Sequence, residues 1–372
     1  MTLLSLRDLD PSGHTSFSFY DFLPGAGFEV AGAPAAHDAG GLAEGLLATD
    51  LVQTSDEDLD RFAALVLTHG HALAPEPALG RLADETARGF SRLIGNDAMR
   101  PRRMRLTRLS LMLRTVLDRS ESVEGARAEL LACKSPWDFI EEPASSSRGW
   151  AATCDQDNVR RLGPKPWSQR LGLPTQLDVL GDALWVGSHY SAGGHLLSGL
   201  DGNAPEVRLL AHDAPLVLAC DHGGERFVLD ASGALFAMNG DTVGKQLLKV
   251  PGKVHRARKI GDSIVAFDWG QASVGFRIDQ ASLDVNTFST GDILVCNDVC
   301  TDPSGTTGVL YGICKLQGRV FKMDADWRPL VTRLGAGTQP GQLLDPIMIR
   351  CVNGELSVVN WFSSRLVRLA AF

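Results

Sequence analysis

The sequence predicts an α+β multidomain chain, a helical N-terminal domain followed by an all-β ring of four-stranded blades. Three observations carry this. Apolar residues recur at a helical period from about Leu42 to Cys133 and at a period of two after about Gly149. One pattern of apolar run, tight turn, apolar run, turn and third strand occurs twice in the last fifth of the chain, from Cys296 and from Pro346. Repeats beginning near Pro174, Pro215, Val254, Cys296 and Pro346 lie roughly 40 residues apart, the spacing of propeller blades.

Residues 1–40 read as an irregular arm whose Ser16-Phe17-Ser18-Phe19-Tyr20-Asp21-Phe22 run suits a short strand. Residues 41–141 read as the helical domain. Ser55 and Asp58 form a capping box, and Phe62, Leu65, Val66 and His69 share the face behind it. Pro75 and Pro77 separate that helix from the next, which carries Leu79, Leu82, Ala83, Phe90 and Leu93. A third helix holds Leu106, Leu109, Leu113 and Val116, and a fourth runs from about Ser122 to Cys133. The polar, small-residue stretch at 142–148 reads as a linker.

Residues 149–372 read as the β-propeller. Inner strands are expected at Gln176–Leu180, Leu216–Cys220, Arg256–Ile260, from Cys296, and from Pro346. The final repeat stops after its third strand. Six blades are therefore expected, with five as the alternative, and Pro166–Leu171 is expected to supply the strand that closes the last blade.

The last repeat, Gly341-Gln342-Leu343-Leu344-Asp345-Pro346-Ile347 through Asn360-Trp361-Phe362-Ser363-Ser364-Arg365-Leu366-Val367, resembles an NHL repeat, and Asp157–Leu162 resembles the tail of another. Met348 stands where that pattern has glycine. Asn297 to Gly305 is similar to an inner strand of the calcium-dependent lactonase and gluconolactonase propellers, in which an asparagine at this place is a metal ligand. That resemblance implies a propeller fold and a cation site at the channel mouth.

Inner strands start around a central channel, so residues there converge from different blades. Asp213, His255, Asn297, Asp298 and Asp345 are the candidate metal ligands. Hard oxygen donors suit calcium, and an added histidine suits zinc. The alternative is that these groups cap strand ends. Arg102, Arg103, Arg105 and Arg108, in the run Arg100 to Arg108, are the candidate anion-binding residues, because guanidinium pairs bidentately with carboxylate or phosphate. The acidic stretch Asp56-Glu57-Asp58 is their candidate internal partner. His189 and His195 flank a glycine-rich turn that reads as a surface hairpin or a ligand loop. Cys296 and Cys300, four apart on a strand, lie about 13 Å apart at ~3.3 Å per residue and cannot chelate one ion.

A formal charge of -8 in 372 residues argues against a general nucleic-acid binder. No apolar run suits a membrane span, and no export signal is visible, which points to the cytoplasm. Seven cysteines without a Cys-x-x-Cys pair fit reduced thiols. No P-loop, dinucleotide-binding glycine fingerprint, Gly-x-Ser-x-Gly or His-Glu-x-x-His occurs. Two functions remain open: recognition of a peptide, protein partner or small anionic ligand, or a lactonase- or lyase-type enzyme with a metal or polar cluster at the channel mouth.

Overall fold

The computed structural model describes residues 2–4, 28–70, 72–73, 77–93, 97–117, 125–133, 136–142, 145–153, 156–163, 165–268, 274–290, 293, 296–301, 309–335, 342–343, 345–361 and 364–372. The aromatic run at 16–22 lies outside these. Helices α1 (Ala39–Leu47), α2 (Asp56–His69), α3 (Pro77–Arg92) and α4 (Arg100–Leu117) pack around a core that includes Leu59, Phe62, Leu65, Val66, Leu79, Leu82, Leu106, Leu109 and Leu113. Ser55 caps α2, and the expected box is half formed: Ser55 Oγ accepts from the Asp58 amide at 3.1 Å, and the Asp58 carboxylate accepts from the Ser55 hydroxyl at 2.6 Å. Pro77 opens α3 at the position where its missing N–H costs nothing. Strands Thr2–Leu4 and Phe28–Val30 pair in parallel beside α2.

Six four-stranded antiparallel sheets follow, and each is a blade. Their inner strands are Asp138–Glu142, Gln176–Leu180, Leu216–His222, Arg256–Ile260, Cys296–Thr301 and Pro346–Val352, for blades one to six. Each inner strand neighbours the next, and that of blade six returns to blade one, so the ring is closed. Alternating apolar residues fill the spaces between blades, with Trp185 and Phe276 among the fully buried side chains. The second strand of blade two approaches the inner strand of blade three very closely. A Cβ on Gly187 would lie 2.2 Å from the Val217 carbonyl oxygen, so only glycine allows blades two and three to meet there. The helical domain docks through Ala87 and Phe90, which join the core between blades four and five formed by Val265, Phe267 and Trp327.

Four sequence expectations are corrected. Closure comes from Arg127–Leu130, which pairs antiparallel with Arg365–Ala370 as the fourth strand of blade six. Trp167–Arg170, in the stretch expected to do this, is instead the fourth strand of blade one and pairs with Asn158–Leu162. The segment read as a fourth helix contains that closing strand, because pairing with a distant strand overrides a weak local preference. The propeller sheets therefore begin at Arg127, ahead of 149. Glu141 and Glu142 end an inner strand, and Ser145–Thr153 is its partner, so the 142–148 stretch joins two strands of one blade rather than two domains.

Candidate functional site

Sheet direction decides which residues meet at each end of the channel. The start of an inner strand and the end of the antiparallel second strand lie at the same mouth, here called the upper one. The end of the inner strand and the start of the second strand lie at the lower one.

Between the mouths the channel is closed by charge. Arg256 and Arg258 are two apart on the inner strand of blade four and so face the same side. Arg256 is buried and donates to the carbonyls of Thr175 at 2.7 Å, Trp137 at 3.0 Å and Ile347 at 2.9 Å, with Asp138 at 3.4 Å and Asp298 at 3.8 Å. Arg258 grips Asp298 bidentately, Nε to Oδ1 and Nη2 to Oδ2, both at 2.8 Å. It also reaches Asp138 at 3.0 Å and Asp178 at 3.2 Å. Arg350 from blade six donates to Asp138 at 3.1 Å and to the Phe139 and Leu177 carbonyls. Three arginines and three aspartates from five blades thus neutralise one another out of water. Burial pushes the Asp138 carboxyl up, but Arg258, Arg350 and Arg256 outweigh it and hold the group well below the usual carboxylate range.

The upper mouth is a rim of rings. Trp137, just before the blade-one inner strand, has its ring centroid 5.5 Å from His189, 6.0 Å from Tyr190 and 6.4 Å from Trp361. His189 and Tyr190 follow the second strand of blade two, and Trp361 follows that of blade six. His255, which opens blade four, lies 5.7 Å from His189. Lys315 of blade five sits 5.4 Å over the Trp361 ring, and its Nζ lies 3.0 Å from buried Asp345. The Asp268 carboxylate lies 3.9 Å from His255 Nδ1. Tyr190 is 54% exposed, so the rim opens to solvent on the blade-two side. Burial, then His255 and Arg256, push His189 well below the ordinary imidazole value. Burial also lowers His255, against the opposing pull of Asp268. Burial thus favours the neutral form of both imidazoles.

The lower mouth holds a cavity of about 470 Å³ lined by Asp178, Cys220, Arg258, Cys300 and Arg350 among others. Its charges already face one another. Desolvation raises Cys220 to about 12, so that thiol is not a ready nucleophile.

The structure brings together three of the five residues expected at the mouth, and Lys315 is the link. Asn297 Oδ1 accepts from the Lys315 amide at 2.6 Å, Asp345 pairs with its ammonium, and His255 lies across the rim. Asp298 is deeper, with both carboxylate oxygens engaged by Arg258. Asp213 is exposed in the loop before blade three. Among the described residues no three His, Cys, Asp or Glu side chains gather to hold a metal ion. In the helical domain Arg105 and Arg108 are buried against Asp60, at 3.1 Å and 2.7 Å, and Arg102 and Arg105 reach Asp56. Arg103 is half-buried, and its carbonyl accepts from Thr107.

No family model and no curated protein matches the sequence. Solved structures do resemble it. A streptogramin B lyase superposes with a TM-score of 0.48 at 12% identity, covering 68% of this chain and 86% of that one. A catalytically inactive virginiamycin B lyase from Staphylococcus aureus, with quinupristin, gives 0.46 at 12%, covering 66% and 85%. The WD40 propeller domain of Doa1 gives 0.45 at 10%, covering 67% and 96%. At these identities the likeness concerns the propeller fold alone, and nothing below rests on it.

The sequence alone does not mark Trp137, Tyr190, Lys315 and Trp361 as rim residues, and His189 reads there as part of a surface hairpin or a ligand loop. One signal marks most of them. His189, Asp268, Lys315 and Trp361 each lie one or two residues after the second strand of a blade. Aligning the repeats on that strand end, rather than on the inner strand alone, brings them into one column.

Proposed function

We propose that this propeller is a recognition protein that takes a peptide segment of a partner at the upper rim of its channel. The observation that carries the reading is the gathering of Trp137, His189, Tyr190, His255, Lys315 and Trp361 from five blades over an axis closed by ion pairs. A closed axis leaves a shallow, ring-lined seat, which suits a side chain or short segment laid on the surface. Aromatic residues supply most of the binding energy in such seats, at low cost in conformational entropy. None of the six cysteines among the described residues is in a disulfide, which fits work in a reducing compartment such as the cytoplasm. Panning a random peptide library on the whole protein and on Tyr190→Ala tests the reading. Enrichment that falls at least tenfold in the variant supports it, whereas enrichment indifferent to Tyr190, or none, rejects it.

One feature supports a second reading, an enzyme at the same rim. The Asp268 carboxylate lies 3.9 Å from His255 Nδ1, a charge that favours the imidazolium an accepting base becomes. Turnover of lactones or cyclic esters by the wild type, lost in His255→Gln with folding intact, favours that reading.

A further inference from the structure

Resting on the recognition reading, we infer that the ligand presents a carboxylate to the rim, received by the indole N–H of Trp137 and the ammonium of Lys315. The first observation is an unmatched donor. Trp137 is 9% exposed, its backbone N–H is bonded to Ala152, and its indole nitrogen is buried with no hydrogen-bond partner. A buried donor left unpaired costs free energy, and such groups mark places where a partner is missing. This one lies among the rim rings, in contact with the rings of His189, Tyr190 and Trp361.

The second observation concerns charge. The Trp361 ring that meets Trp137 also lies under the Lys315 ammonium, which is 5.4 Å from the ring centroid, is ion-paired with Asp345 at 3.0 Å and carries three donors. Directly beneath, the Arg256 guanidinium donates to the Trp137 carbonyl. Arg256 and Lys315 both help to depress His189, after burial and His255. An ionised carboxylate only accepts hydrogen bonds, so it complements an N–H and an ammonium that only donate. A neutral carbonyl fits the indole but gains less from the lysine.

The test uses the whole protein labelled with ¹⁵N at its seven tryptophans. The Trp137 indole signal is assigned by Trp137→Phe, which keeps a ring and removes the N–H. Three probes are titrated: N-acetylphenylalanine, its neutral amide, and N-acetylglutamic acid with the α-carboxyl amidated. Binding of fragments this small is expected at about the millimolar level. The inference expects the Trp137 N–H resonance to shift downfield with one or both carboxylates and to stay put with the phenylalanine amide. A shift with the first acid marks a chain-terminal carboxylate, and with the last an acidic side chain. Trp137→Phe should weaken carboxylate binding about tenfold, the effect of one charge-assisted hydrogen bond. If neither acid moves the signal, or the amide moves it equally, the inference is overturned. Should Trp137→Phe melt non-cooperatively, the signal is assigned by its ring-current shift in Tyr190→Ala, since the Tyr190 ring lies 6.0 Å from Trp137, and the wild-type titration then decides. A failed peptide selection would reject the peptide reading and leave this result standing.

Discussion

Arg256→Met tests whether the ionic hub holds the ring together. The wild-type guanidinium satisfies three carbonyls on blades one, two and six and faces two carboxylates that are fully buried. Each lost hydrogen bond to a buried carbonyl costs about 1 kcal/mol. Breaking one side of a buried ion pair costs about 3–5 kcal/mol, although Arg258 and Arg350 remain to cover part of the charge. The expected loss is therefore about 4 kcal/mol, a large part of the roughly 5–15 kcal/mol that holds a typical domain. Urea unfolding followed by tryptophan fluorescence measures it, with Arg226→Ala as control. Arg226 pairs with Asp221 at 3.1 Å, with both side chains about two-fifths exposed, and its loss should change little. A drop below about 1 kcal/mol in Arg256→Met, or equal drops in the two variants, would refute the hub.

Acidification should weaken the fold. Unfolded histidines titrate near 6.5 while burial holds His189, His255 and His195 lower in the native state. Between the native values and about 6.5 the unfolded chain binds more protons, so stability rises with pH there and is lost as pH falls through it. Arg256, Lys315, Lys253 and Asp268 surround the first two rings, and His189→Gln should flatten a plot of Tm against pH from 5 to 7.5; an unchanged slope would contradict the assignment. A fragment of residues 136–372 lacks the closing strand and leaves the edge at Arg365–Ala370 unpaired, so it should aggregate where 125–372 stays soluble by light scattering. Asp298→Ala should cost about 3 kcal/mol by removing the bidentate partner of Arg258, which keeps Asp138 and Asp178, to the same extent in calcium and in a chelator, and a loss seen only on calcium removal would put a cation at the channel.

What could be read from the sequence follows the range of the interactions involved. The inner strands at Gln176–Leu180 and Arg256–Ile260 match expectation residue for residue, because alternation of period two is a local signal. The α2 cap at Ser55 was legible for the same reason. The closing strand was not. Arg127–Leu130 pairs with Arg365–Ala370 across more than 200 residues, and its own Arg-Ala-Glu-Leu reads as helix. The hub was hidden in the same way. Val-His-Arg-Ala-Arg-Lys reads as a basic strand, and its counter-charges Asp138, Asp178 and Asp298 come from three other blades. Asp298 was noticed as a ligand-like carboxylate, yet its arginine partner lies 40 positions away. At the rim, His255, Asn297 and Asp345 were anticipated because they neighbour inner strands, whereas Trp137 and Lys315 show their place only once sheet direction is known.

Photocrosslinking addresses the recognition site directly. Benzoylphenylalanine is placed by Tyr190→benzoylphenylalanine at the rim, and by Leu209→benzoylphenylalanine on an outer strand that is equally exposed, 54% against 58%. Each protein is irradiated with the peptide pool enriched by panning. The account predicts adducts from the rim position and none from Leu209. Adducts from Leu209 alone would place recognition on the blade edges and contradict it.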